Sequence, residues 1–147
     1  MRIALLPGDG IGPEVIRAAV QVLERAAAVY GFAMQTEWFD LGAERYLRTG
    51  ETLPDADFQR LRSEFDAILL GAYGDPRVPS NIHAKEILLG LRQRLDLYVN
   101  LRPVKLVDAR LCPLKDVAAG GVDMAIVREN TESVYVGIGG SFKSDTP

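Results

Sequence analysis

Three arginines in the sequence could act together. Arg92 lies on a run with helical spacing, Leu88 to Arg94, while Arg102 and Arg128 each close a short apolar run of the kind that forms a strand. A guanidinium is a rigid planar fork that grips a carboxylate through two parallel hydrogen bonds, so arginines converging at strand ends would make a dicarboxylate receptor. The other reading is three separate solvated side chains, the usual state of arginine. Tyr135 follows in the same segment as Arg128, in Arg128-Glu129-Asn130-Thr131-Glu132-Ser133-Val134-Tyr135. A phenol beside a cation becomes a stronger acid and can deliver a proton, although a tyrosine half-buried in a strand needs no such role.

Leu6-Pro7-Gly8-Asp9-Gly10-Ile11-Gly12-Pro13-Glu14 joins an apolar run to a helix start through a glycine turn. Such a junction presents backbone N–H donors that a ligand can approach closely. Its spacing is G-x-G-x-G, which lacks the third glycine of the dinucleotide fingerprint G-x-G-x-x-G, so a Rossmann domain is not expected and a plain tight turn satisfies the pattern. Asp123, Glu129 and Glu132 are spread over strand and loop without a ligand spacing, and no metal is assigned to this chain. One histidine, His83, and one cysteine, Cys112, exclude an internal disulfide and make a zinc set improbable.

The elements that must position these residues alternate between strand and helix. Arg2 to Leu6 reads as a buried strand ending in the glycine turn, and a helix begins at Pro13, with Val15, Ala19, Val22, Leu23 and Ala26 at helical spacing until Gly31. Ala33 to Phe39 is a second strand, 42–48 and 55–62 are short helices, and 66–71 is a third strand. The breaker-rich stretch Ala72 to Ser80 is a loop at the carboxyl end of that strand, the edge where open α/β sheets bind ligands. A helix over 84–94, a strand over 97–101 leading into Arg102-Pro103, a helix or turn over 113–121, a strand over 122–127 and a short strand over 134–136 complete the series.

This alternation predicts an α/β fold with a mainly parallel sheet, divided into a first domain over 1–96 and the start of a second over 97–147. The final residues, Gly139 to Pro147, are loop chemistry with no covering helix, so further elements of the second domain are expected beyond them.

The chain has 147 residues, 48% of them hydrophobic and 25% charged, and a net charge of −3 with a pI near 5.2. That is globular composition with no clustered positive surface for nucleic acid, and no apolar run approaches the roughly 20 residues a membrane helix requires. Met1-Arg2 leads straight into a strand, so no signal segment is expected and the cytoplasm is the expected compartment.

Taken together, Leu6 to Glu14, Asp66-Ala-Ile-Leu-Leu-Gly-Ala72, Leu88-Leu-Gly-Leu-Arg92, Leu97-Tyr-Val-Asn-Leu-Arg-Pro103 and Val127-Arg-Glu-Asn-Thr-Glu132 with Tyr135 resemble, in order and spacing, the isocitrate and isopropylmalate dehydrogenases. The resemblance covers the whole chain and corresponds to the N-terminal part of such an enzyme. It implies a two-domain α/β fold distinct from the Rossmann type, and oxidation and decarboxylation of a small 2-hydroxy dicarboxylate with NAD. It further implies that Arg92, Arg102 and Arg128 hold the substrate carboxylates and that Tyr135 protonates the enol left when carbon dioxide departs. The nicotinamide end is expected near Ile11 and along Gly71, Ala72, Tyr73 and Gly74.

Within this family the helix before Arg92 selects the group on the third carbon of the substrate. Leu88 and Leu89 suit an isopropyl group, since a third carboxylate there would be a costly unpaired charge. The implied reaction is therefore conversion of (2R,3S)-3-isopropylmalate to 2-oxoisocaproate in leucine biosynthesis. A tartrate or D-malate dehydrogenase and a non-catalytic regulatory subunit are the alternatives. Lys85 stands where relatives carry an acidic residue for the nicotinamide ribose, and the adjacent Glu86 is the candidate substitute; Ser133 stands where glycine is common. The family also implies a homodimer and a Mg²⁺ or Mn²⁺ ion whose aspartate ligands are expected downstream, so this chain alone is expected to be inactive.

Overall fold

In the computed structural model, residues 1–118, 120–132, 136 and 138–140 are described. Contacts divide the chain into two compact units, Met1–Leu91 and Arg92–Pro147.

The first unit is built on a three-stranded parallel sheet. Its strands are β1 (Arg2–Gly8), β2 (Gln35–Trp38) and β3 (Ala67–Ala72), with β1 in the middle. Ile3 pairs with Thr36 on one side and Ala67 on the other. Ala4, Leu5 and Leu6 are fully buried, as the continuous apolar run of a central parallel strand requires. Around the sheet run α1 (Gly12–Tyr30), α2 (Ala43–Thr49), α3 (Asp55–Glu64) and α4 (Ile82–Arg94).

Helix α1 turns a different face to the sheet from the one its valines suggest. Gly12 and Ile16 are its buried residues, and Val20 and Leu23 pack with Ile3, Leu5, Met34 and Leu69, whereas Val15 and Val22 are 51% and 69% exposed. Contact with the sheet sets this rotation. A Cβ on Gly12 would lie 2.0 Å from the Pro7 carbonyl oxygen, so the side without a side chain is the one that can approach the strand ends. Gly31, at φ 71°, closes the helix by donating its N–H to the Ala27 carbonyl.

The second unit contains an antiparallel ribbon, β4 (Val99–Lys105) with β5 (Asp123–Glu129). The expected strand through Leu101 in fact continues past Pro103, which faces Ala125. The ladder explains why proline is accepted. Leu106 donates to the Val122 carbonyl and Asn130 to that of Tyr98, so the hydrogen-bonded pairs fall on even-numbered residues of β4, and position 103 needs no donor. Residues 113–118 and 120–121 contain turns and bends, with Gly120 at φ 80°, and a short 3₁₀ turn stands at Ala109–Leu111. The strand expected over 134–136 falls on Val134 and Tyr135, which lie outside the described residues.

Candidate substrate and cofactor site

In the first unit the carboxyl ends of β1 and β3 meet at the glycine turn, and glycine is required there for close packing. A Cβ on Gly71 would lie 2.2 Å from the Pro7 carbonyl oxygen, and one on Gly8, whose φ is +72°, would lie 2.1 Å from that of Ala72. Strand and turn therefore touch backbone to backbone, and the Asp9 N–H donates to the Ala72 carbonyl at 2.7 Å. The tip of the turn is open by contrast. Ile11 is 67% exposed, a Cβ on Gly10 would meet nothing within 4 Å, and α1 begins with no side-chain cap on its first N–H groups. The Gly12 N–H is taken by the Asp9 carbonyl and Pro13 has none, so the opening at the tip is one of space for a ligand rather than of spare donors. A cavity of about 350 Å³ opens beside this turn, lined in part by Arg17, Trp38, Asp40 and Glu44.

The expected cofactor positions beyond β3 differ in what their side chains do. Ala72 and Gly74 are exposed. Tyr73 lays its ring over Gly8 and donates its hydroxyl to the Leu41 carbonyl at 3.0 Å; burial, reinforced by the Asp9 charge, pushes its pKa well above the usual phenol range. Only its backbone is left for a ligand. Farther along, Arg77 pairs with Asp75 at 2.7 Å and with Glu44, and its bonds hold the Asp75 carboxyl down at about 2. Glu86, on α4, accepts a hydrogen bond from the Thr52 hydroxyl at 2.5 Å. It therefore faces the α2–α3 connection, while Lys85, Leu88 or Leu89, and Arg92 follow one another at helical spacing along another face.

The sequence reading passed over what lies beneath the turn. Asp9, 8% exposed, accepts hydrogen bonds from the Ala43 N–H at 2.6 Å, the Gly74 N–H at 2.9 Å and the fully buried His83 ring at 2.7 Å. The usable signal was a single acidic residue flanked by glycines, together with the only histidine in the chain.

In the second unit, pairing sets Arg128 opposite Asn100 and Arg102 opposite Ile126. Directly paired residues point to the same side of a sheet, so Arg102 and Arg128 share one face as diagonal neighbours. Asn100 takes the Arg102 Nε–H at 2.8 Å, and Asn130, 5% exposed, ties the end of β5 to the Leu97 carbonyl. Glu129 closes the next turn by accepting from Thr131 N–H, Thr131 hydroxyl and Glu132 N–H, bonds that hold its pKa below the usual carboxylate range. Glu129 and Asn130 thus build the turn, and Arg128, half-buried, is presented by it. Arg92 stands in the last turn of α4, with Leu88 and Leu89 half-buried one turn earlier. Tyr135 lies outside the described residues. Among the described residues, no group of histidine, cysteine or carboxylate side chains gathers that would hold a metal ion.

The chain thus joins a parallel α/β unit with an open glycine turn to a ribbon presenting two arginines on one face. The model of the isocitrate/isopropylmalate dehydrogenase family matches residues 2–146, and the chain belongs to that family. It is 48% identical to a 3-isopropylmalate dehydrogenase of Thermobifida fusca, over 100% of this chain and 41% of that protein. It is 51% identical to one of Corynebacterium kroppenstedtii, over 100% of this chain and 42% of that one. Among solved structures, an isocitrate dehydrogenase from Methylococcus capsulatus superimposes with a TM-score of 0.75 at 33% identity, covering 98% of this chain and 39% of its own. The chain thus spans about two fifths of the length of the curated relatives it matches.

Proposed function

We propose that the protein carrying this sequence oxidises and decarboxylates (2R,3S)-3-isopropylmalate to 2-oxoisocaproate, a cytoplasmic step of leucine biosynthesis that uses NAD. The observation that carries the reading is the placement of Arg102 and Arg128 on one face of the β4–β5 ribbon. The relatives named 3-isopropylmalate dehydrogenase support the choice of substrate.

In this reading the unit containing the glycine turn serves the cofactor, and the ribbon from residue 97 onward serves the substrate. Nicotinamide, when bound, supplies the acceptor for the hydride leaving C2. Ile11 and the backbone of Gly71 to Gly74 orient that end of the cofactor. Arg92, Arg102 and Arg128 hold the two carboxylates through forked hydrogen bonds, fixing the bond between C3 and the departing carboxylate. Leu88 and Leu89 take the isopropyl group, where burial of a branched apolar substituent is favourable and a carboxylate would be left unpaired. Once that bond breaks and carbon dioxide leaves, the Tyr135 hydroxyl gives its proton to C3 of the enol. The Mg²⁺ or Mn²⁺ ion implied by the family has no ligand set among the described residues, and no step is assigned to it here.

The test is to express the gene that carries this sequence and follow NADH formation with 3-isopropylmalate, isocitrate, tartrate and D-malate in turn. The reading requires kcat/KM to be highest for isopropylmalate. A higher value on D-malate or tartrate would replace the substrate assigned here, and binding of the acids without any turnover would favour a regulatory subunit.

A further inference from the structure

Asp9 is the most heavily bonded side chain beneath the glycine turn. Its Oδ1 accepts the N–H of Ala43, the first residue of α2, and its Oδ2 accepts both the Gly74 N–H and the Nε2–H of His83 on α4. Its backbone is engaged as well, with the N–H donating to Ala72 and the carbonyl accepting from Gly12. A carboxylate only accepts, so the ring proton of His83 sits on Nε2. The imidazole is fully buried and stacks on Tyr46, with ring centroids 6.1 Å apart. One residue of the turn is thereby tied to the segment after β3, to α2 and to α4.

The connected backbone includes both segments assigned above to the cofactor. Asp9 lies next to the open tip, Gly10-Ile11, and its side chain holds Gly74 directly. We propose that Asp9 and His83 are a positioning pair for the nicotinamide cofactor, fixing the Gly74 amide and the Gly10-Ile11 tip in one relative placement. The proposal rests on the function proposed above. His83 acts by holding the Asp9 carboxylate in the orientation that leaves Oδ1 for Ala43 and Oδ2 for Gly74.

Asparagine cannot reproduce this arrangement. If its oxygen takes the place of Oδ2, its amide group faces the Ala43 N–H; if it takes the place of Oδ1, its amide faces the Gly74 N–H. A backbone donor is orphaned in either case, and one of the two loops shifts. At His83, glutamine can still donate to Asp9 through its side-chain amide, whereas leucine fills the space without donating.

The experiment uses the product of the whole gene and compares Asp9→Asn, His83→Leu and His83→Gln with the unaltered protein in NAD and isopropylmalate kinetics and in calorimetric titration with NAD alone, where the Kd for NAD should move with its KM. Asp9→Asn should raise the KM for NAD about tenfold, and His83→Leu by about three- to tenfold, a part of what a buried hydrogen bond to a charged group is worth, because the pair reaches the cofactor only through the two loops. The KM for isopropylmalate should move less than that for NAD in both variants. His83→Gln should recover most of the loss seen with leucine. Folded Asp9→Asn and His83→Leu proteins whose KM for NAD stays within twofold of the unaltered value would overturn the proposal. Should Asp9→Asn fail to fold, the two His83 variants decide alone, and equal NAD kinetics for leucine and glutamine would overturn it. An unaltered protein with no NAD-dependent turnover would overturn the proposed function together with the pair; NAD-dependent turnover with unmoved KM values would remove only the pair.

Discussion

At the scale of single residues, the substrate reading depends on the guanidinium fork rather than on positive charge alone. Arg102→Lys and Arg128→Lys keep the charge and lose bidentate geometry, so each should raise the KM for the dicarboxylate by about 10- to 100-fold, equivalent to about 1.4–2.8 kcal/mol. Steady-state kinetics on the expressed gene product check this, and a change below threefold in both would remove these arginines from the site. Tyr73 gives a prediction in pH. Its pKa is pushed up from an ordinary value near 10 by burial and by the Asp9 charge. The unfolded chain ionises first as pH rises, so the stability this phenol contributes is complete below pH 10 and falls above it. Urea unfolding between about pH 9 and about pH 11 should show a steeper loss for the natural chain than for Tyr73→Phe, because phenylalanine cannot ionise. The arginines were singled out in the sequence by residue type and by their place after apolar runs, whereas the face that Arg102 and Arg128 share is set by the register of β4 with β5. The Asp9–His83 contact was not legible there, since it joins positions 74 residues apart and no local pattern reports a tertiary hydrogen bond.

At the scale of elements, two glycines of similar appearance in sequence should respond oppositely to alanine. Gly71 on β3 has the Pro7 carbonyl oxygen where its Cβ would stand, and the main chain cannot move aside without shifting the turn. Gly71→Ala should cost about 1–3 kcal/mol as an overpacking substitution. Gly90, inside α4, would place a Cβ 3.8 Å from a Leu53 methyl group, an ordinary contact. Gly90→Ala should therefore stabilise the helix by about 0.5–1 kcal/mol through propensity and unfolded-state entropy. Thermal or urea unfolding of the two variants measures the contrast, and the same sign for both would mean that the packing around β3 is looser than described. The order and type of the elements followed from apolar periodicity and breakers, as in the run Leu69-Leu70-Gly71 ending at the loop. The face of α1 did not, because Val15 and Ile16 are adjacent and both apolar. Close backbone approach at Gly12, a tertiary fact, decides which of them is buried. The antiparallel sense of β4 with β5 was hidden for a related reason: local sequence specifies a strand but not its partner.

At the scale of the molecule, the two units have unequal means of holding themselves together. In Met1–Leu91, Ala4, Leu5, Leu6 and Ile87 are fully buried, and β1 is hydrogen-bonded on both edges. In Arg92–Pro147 the described sheet has two strands, and Leu101 and Val127, which face one another across it, are 63% and 66% exposed. An isolated two-stranded ribbon is marginally stable in water, because it buries little apolar surface against the entropy of ordering its backbone. Its amides should therefore open by local unfolding while those of β1 exchange only through global unfolding. Hydrogen exchange on the 147-residue chain at low concentration should show Val99–Lys105 and Asp123–Glu129 exchanging at least about 100-fold faster than Ile3–Leu6, a difference of about 2.8 kcal/mol in opening free energy. Equal protection in the two regions would show that the apolar pairs are covered in solution. Repeating the measurement over a range of concentrations then tells association from an intramolecular cover, since only association makes the protection of Leu101 and Val127 rise with concentration.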